Sequence, residues 1–233
     1  MTLPTAYDVR NGNRRWGSLG NFYTDDCTIA AFEHLRMVKA TTSASSWQKL
    51  IYQVGFRPPH TPYTLEIYSQ YQVGVGEKPS HTTGVDPGSF FPWAKEQGLI
   101  LDWGRVTIDT QWNDTFPNPG GLSNVDRLHQ AMIDYRGVLL EAFLTPNAYH
   151  NWSEPRAWDV GPAPGDTPNE GLGHATALVQ YGPANDGVVT WGRVKSQTHA
   201  FTQATTFGAF VFLDAQDTLL PNYAELLANI KNL

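Results

Sequence analysis

Cysteine is almost missing from this chain: Cys27 is the one thiol in 233 residues. A disulfide within the chain is therefore impossible, which fits a reducing compartment. Any thiol chemistry must run through Cys27. Charge is also scarce, at 16% of residues, and the balance is acidic, with a net charge of −6. The longest basic run is Arg14-Arg15. Phosphate recognition needs clustered Lys or Arg, so nucleic acid is not an expected partner. No apolar run approaches the roughly 20 residues that cross a bilayer, so no membrane is expected either. Met1-Thr2-Leu3-Pro4 lacks the basic-then-apolar layout of a signal peptide. No cofactor and no metal is expected.

Glycine (21) and proline (16) are plentiful and favour a loop-rich fold over a helical bundle. Eight Trp and ten Tyr supply large packing groups, some of them suited to lining a cleft. The length suits one domain spanning 1–233.

Helical spacing dominates the first half. Asp25 or Asp26 is a preferred N-cap type ahead of Ile29, Phe32, Leu35 and Val38. Ser46 caps a second stretch through Trp47, Leu50, Ile51 and Val54, stopped by Pro58-Pro59. Pro62 opens a third with Leu65, Ile67, Tyr68 and Tyr71. Asp86-Pro87 reads as a cap and first-turn proline for a helix with Phe90, Phe91, Trp93 and Ala94, closed by Gly98. Ser123 caps another with Val125, Leu128 and Met132, ended by Gly137. After that the pattern turns strand-like, at 138–144, 175–181, 188–191 and 207–213. Residues 145–172 read as one long loop, a feature that is usually functional in a compact domain. A helix is expected over 217–233. The class is α+β: a helical lobe over about 20–135, a β lobe over about 136–216 and a C-terminal helix over about 217–233.

Cys27 falls at the start of a predicted helix, where the backbone dipole lowers a thiol's pKa and favours the nucleophilic thiolate. It still needs a base, which any distant element can supply. Of seven histidines, His34 and His129 lie in helical stretches as surface or packing residues, and His60 and His81 lie in Pro-containing loops. His150 in the long loop competes with His174, which opens the strongest β run; His174 is preferred because a strand holds a ring more rigidly. His199 reads as ordinary.

Leu3-Pro4-Thr5-Ala6-Tyr7-Asp8-Val9-Arg10, then Asn21-Phe22-Tyr23-Thr24-Asp25-Asp26-Cys27-Thr28-Ile29-Ala30-Ala31-Phe32, then Gly173-His174-Ala175 running to Tyr181-Gly182, then Val189-Thr190-Trp191-Gly192 occur in that order. Together they resemble the papain-like cysteine peptidases, and more nearly their short bacterial or phage-borne relatives. The Cys-to-His separation, 174 − 27 = 147 residues, suits that family. The resemblance implies a two-lobed papain-like fold with an N-terminal helical lobe and a C-terminal antiparallel β-sheet or barrel lobe. It implies Cys27 as nucleophile, His174 as base and later acid, Asn21 as oxyanion donor with the Cys27 amide, and Trp191 packed beside the histidine. Gly173, Trp191 and Trp158 are candidate substrate-binding positions, with Trp152 beside them.

The sequence departs from the family at two chemically important places. Val189 stands where the family has the Asn that orients the histidine; Thr190 or Gln180 is left to substitute. Asp25 and Asp26 precede the thiol, and negative charge there raises its pKa unless both act as helix caps. The expected activity is cleavage of peptide or amide bonds through a thioester, on a peptide or protein substrate, in the cytoplasm or attached to a virion. The alternative is a catalytically degenerate papain-fold binding or structural protein, such as a phage virion or accessory component, with protein partners in a larger assembly. A third reading, a peptidoglycan amidase of another thiol family, fits the long helical first half poorly.

Overall fold

The structure, a computed structural model, describes residues 3–12, 16–43, 61–108, 123–161 and 166–233. The helix expected after Ser46 lies outside those residues. The elements in chain order are β1 (Tyr7–Asp8), α1 (Cys27–Ser43), α2 (Thr61–Gly74), α3 (Pro87–Glu96), β2 (Asp102–Arg105), α4 (Asn124–Tyr135), β3 (Val138–Phe143) and α5 (Pro146–His150). They continue with β4 (Gly173–Tyr181), β5 (Asn185–Thr190), β6 (Arg193–Thr198), α6 (His199–Thr205), β7 (Thr206–Leu213) and α7 (Tyr223–Asn229). The chain is α+β, with helices packed on an antiparallel sheet of order β2-β7-β3-β4-β5-β6 and β1 added against β4.

The capping signals translate directly. The Asp86 carboxylate accepts from Gly88 N (3.2 Å) and Ser89 N (2.9 Å) to start α3 at Pro87. Ser123 Oγ accepts from Asp126 N (3.1 Å) to start α4. That helix ends on Arg136 (φ 61°) and Gly137 (φ 125°). A side chain at 137 would strike Leu35 Cδ2 at 2.5 Å, so glycine is demanded twice over.

Helix α1 is the centre of the molecule. From Thr28 to Ala40 every residue but Arg36 is buried, the mark of an internal helix. Its polar side chains therefore need partners inside. Glu33 bonds Arg36 at 2.8 Å, and His34 Nε2 donates to the Trp16 and Gly17 carbonyls at 3.2 and 3.0 Å. The Lys39 ammonium reaches Tyr135 O (2.7 Å) and Asp217 (3.1 Å). Arg136 closes on the same carboxylate and on Lys39 O. Burial alone would raise the Asp217 pKa; Lys39 and Arg136 override it and hold the group low.

Several expectations need correction. The 145–172 stretch is not one structureless loop: Thr145 caps α5, and a 3₁₀ turn at Glu170–Leu172 leads into β4. The tail is not one helix but a 3₁₀ turn at Asp217–Leu219, α7 and a second turn at Ile230–Asn232, because Asp217 is pinned by two cations and Pro221 follows. β2, β6 and α6 were not anticipated. β2 pairs with β7, and its Gly104 lies so close to Ile230 O that no Cβ fits.

Asp217→Ala strands two buried cations, Lys39 and Arg136. Urea unfolding is expected to show a loss of about 3–5 kcal/mol; an unshifted midpoint would contradict this account of the α1–α4 junction.

Candidate active site

Cys27 is the first residue of α1, and Asp26 occupies the N-cap position, its carbonyl accepting from Ala30 N at 2.9 Å. The approach to the helix is a compact turn. Asn21 N–H donates to Ser18 O (3.1 Å) and Tyr23 N–H to Gly20 O (2.8 Å). Gly20 (φ 107°) admits no side chain, since a Cβ there would meet Asp26 Oδ2 at 2.7 Å and Leu65 Cδ2 at 2.9 Å. Asn21 thus sits half-buried on the turn that leads to Cys27.

β4 runs against α1, and its Ala175 amide is directed at the Cys27 sulfur. His174 is the residue before that amide. The Cys27 sulfur thereby meets the strand one residue from His174. Among the described residues, no hydrogen bond joins the sulfur to the imidazole.

His174 is held on two sides. Its Nε2 lies 2.7 Å from Thr190 Oγ. Its ring stacks on Trp191 at 4.2 Å between centroids and 13° between planes. Thr190 thus offers the ring a polar partner where Val189 has none. Gln180 is remote from it, near the other end of β4 and paired with Asp8 and Gly187. His150, the competing base, is exposed at the end of α5 with its ring against Tyr149.

The β5–β6 hairpin sets this clamp. Its two-residue turn is Trp191-Gly192, with φ of 43° and 78°, the positive pair a type I′ turn requires. Gly or Asn is normal at the first position, and a bulky residue there is strained. The strain is offset by stacking on His174 and by Trp152 at 5.4 Å. Gly192 also touches Gly17 and Ser18 closely enough to exclude a Cβ. The histidine hairpin is therefore fastened to the loop that His34 holds against α1.

Burial dominates the electrostatics. It pushes the Cys27 thiol up to about 11; the Ala175 and Thr28 amides oppose the shift, and Asp26 and Asp25 add to it. Burial takes His174 down to about 3. Asp26 is fully buried and rises to about 7 through desolvation, with the Asp25 charge adding to it. Its carboxyl oxygens make no hydrogen bond of good geometry, and Thr24 Oγ donates instead to Gly20 O at 3.3 Å. The cap reading of Asp26 is thus corrected: the residue stands at N-cap, but its side chain caps nothing. The resting state these groups favour is a neutral thiol beside a neutral imidazole.

Trp158 is also corrected. It is 3% exposed, held to β6 by bonds with Ser196 and Thr198 and packed on Phe201, so it offers substrate no surface. It buttresses Trp191 from behind at 6.2 Å. The open surface comes instead from Phe22, Tyr23 and Tyr149, all exposed, with Trp152 5.1 Å from Phe22. Gly173 is exposed with open space above it, where a substrate backbone can approach. Sequence reasoning missed the Gly17–Gly192 clasp; the Trp-Gly turn was its only trace.

No family model matches the chain, and no curated protein matches its sequence. Solved structures do match. The Carica candamarcensis cysteine protease CMS1MS2 in complex with E-64 is 15% identical, with 91% of this chain and 99% of that one covered and a TM-score of 0.39. The bromelain protease from Ananas comosus with the E64 inhibitor is 9% identical, covering 91% and 100%, at 0.43. A structure bearing on antibody cross-reactivity between the mite allergens Blo t 1 and Der p 1 is 12% identical, covering 91% and 72%, also at 0.43. Likeness at these TM-scores assigns no activity.

A neutral pair makes a definite kinetic prediction. Iodoacetamide alkylation of Cys27 is expected to climb about tenfold per pH unit from 7 towards the thiol's pKa near 11. A flat, fast rate between pH 5 and 8 would instead reveal a standing thiolate–imidazolium pair.

Proposed function

We propose that this chain is a thiol hydrolase of papain-like type that cleaves peptide or amide bonds. One observation carries the reading: the thiol that opens α1 faces the amide next to His174, whose ring Thr190 and Trp191 hold in place. A helix-borne nucleophile before a strand-borne base, followed by a Trp-Gly turn, supports a single papain-like domain.

In this proposal, Nε2–H of His174 donates to Thr190 Oγ, which leaves Nδ1 with its lone pair. Nδ1 takes the thiol proton as the sulfur attacks the carbonyl carbon, so the charged pair exists only as the bond forms. The developing oxyanion is met by the Cys27 amide, which as a helix-opening N–H has no intrahelical acceptor, and by the Asn21 side chain. The intermediate collapses to a thioester as His174 protonates the leaving amine. Water, deprotonated by the same nitrogen, then releases the acid. Substrate is a peptide or protein lying across Gly173, its side chains against the Phe22–Trp152–Trp191 aromatics.

A second reading is favoured by the neutral pair and the missing sulfur–imidazole bond. It holds that the fold persists as a binding or structural protein, for instance in a virion.

A panel of fluorogenic peptides separates the two. Turnover is expected in the wild type and absent in Cys27→Ser and His174→Ala. Thr190→Val should cost about 100-fold in kcat with little change in KM, because the base is misoriented and not removed. No turnover across the panel, together with epoxide labelling of Cys27 that ignores His174→Ala, would leave only the binding reading.

A further inference from the structure

A second cluster of titratable side chains lies at the opposite end of β4. His129 from α4, Asp186 from β5 and His199 from the first turn of α6 each bring one ligand-type atom within 4.8 Å of the others. On β4, Tyr181 pairs with Asp186 and lies seven positions beyond His174. At about 3.3 Å per residue the cluster stands roughly 20 Å from the thiol site.

Its parts are held as metal ligands are held. The Asp186 carboxylate is fully buried: Oδ1 accepts from His129 Nε2 at 2.6 Å, and Oδ2 accepts from Thr202 Oγ at 2.5 Å. The His129 ring plane is fixed by stacking on Tyr181 at 3.9 Å and 7°. His199 follows the N-cap of α6, and its amide donates to Ala184 O at 3.2 Å. The His199 Nε2 is the unexplained atom. It is shut off from solvent, stands 3.4 Å from Asp186 Oδ1, and makes no hydrogen bond of good geometry. Buried polar atoms are nearly always satisfied, and one left without a partner asks for an ion or a water.

We infer that His129, Asp186 and His199 form a site for a divalent transition metal of the zinc type. Two imidazoles and one carboxylate are a nitrogen-rich set that suits Zn²⁺ and disfavours Mg²⁺ or Ca²⁺, which take oxygen shells. Ligand atoms about 2.0–2.1 Å from a tetrahedral Zn²⁺ stand about 3.4 Å apart. The His199–Asp186 distance already meets that, and the His129–Asp186 bond opens by less than 1 Å when the metal replaces its shared proton. Thr202 is the outer-shell donor that keeps the carboxylate aimed. The His199 ring is partly exposed but its Nε2 is not, so the fourth ligand is a water enclosed with the ion. Such an ion ties the β4–β5 turn to α4 and α6, a structural clip independent of the thiol. It departs from the metal-free expectation because the ligands come from three separated elements with no compact spacing motif.

The test is Zn²⁺ titration of metal-stripped full-length protein by calorimetry and thermal melting, with Co²⁺ absorption as a spectroscopic check. Cys27→Ser removes the only thiol as a competing ligand; His199→Ala removes the half-exposed ligand with little risk to folding. The expected result is one Zn²⁺ per chain and a raised Tm in both wild type and Cys27→Ser, each lost in His199→Ala. Binding that disappears in Cys27→Ser and survives in His199→Ala would place the ion at the thiol and overturn the inference. Wild type that binds no Zn²⁺ and melts unchanged would overturn it too. Neither outcome touches the hydrolase reading, whose test is turnover.

Discussion

An α-helix with no exposed face must be gripped from every side, and that constraint organises this molecule. α1 is buried from Thr28 to Ala40 but for Arg36. β4 packs along it, Trp16 and Gly17 receive His34, and the Lys39–Asp217–Arg136 network closes its far end. Its first residue is a cysteine, so the grip that fixes the helix also fixes the sulfur against β4. The hairpin that orients His174 is fastened at Gly192 to the Gly17 loop, which His34 anchors to the same helix. Cys27 and His174 therefore share one scaffold although they lie far apart in sequence.

The same burial sets the chemistry. A water-poor site disfavours both thiolate and imidazolium, and the nearby carboxyls of Asp25 and Asp26 push the thiol further from ionisation. A carboxamide beside the histidine would supply a fixed acceptor and fix the tautomer. In the proposed mechanism the Thr190 hydroxyl takes that acceptor's place for Nε2–H. Burial thus favours a neutral pair over a preformed ion pair.

Much of this was legible in the sequence where one local signal dominates. Asp86 and Ser123 cap as their types demand, and the Gly173–Tyr181 run is a buried strand because it is almost wholly apolar. Cys27 and His174 were singled out by order and spacing, and the sulfur meets the amide that follows His174. What was illegible depends on partners distant in the chain. β6 is the polar run Arg193 to Thr198, a strand only because β5 and Trp158 pair with it. β2 is four residues with a glycine, defined by β7 and the tail. Asp26 looked like a cap by type; Gly20 and the surrounding core instead enclose its side chain without giving it an amide. His129 looked like packing until Asp186, 57 residues on, came within 2.6 Å.

The measurement that bears most directly on the central claim is the ¹⁵N chemical shift of the His174 ring nitrogens, followed from pH 8 to pH 4. The account predicts a neutral ring throughout, since burial takes the group down to about 3, with the proton on Nε2 where it meets Thr190 and Nδ1 bare. Imidazolium shifts at pH 7 that vanish in Cys27→Ser would show a standing ion pair and contradict it.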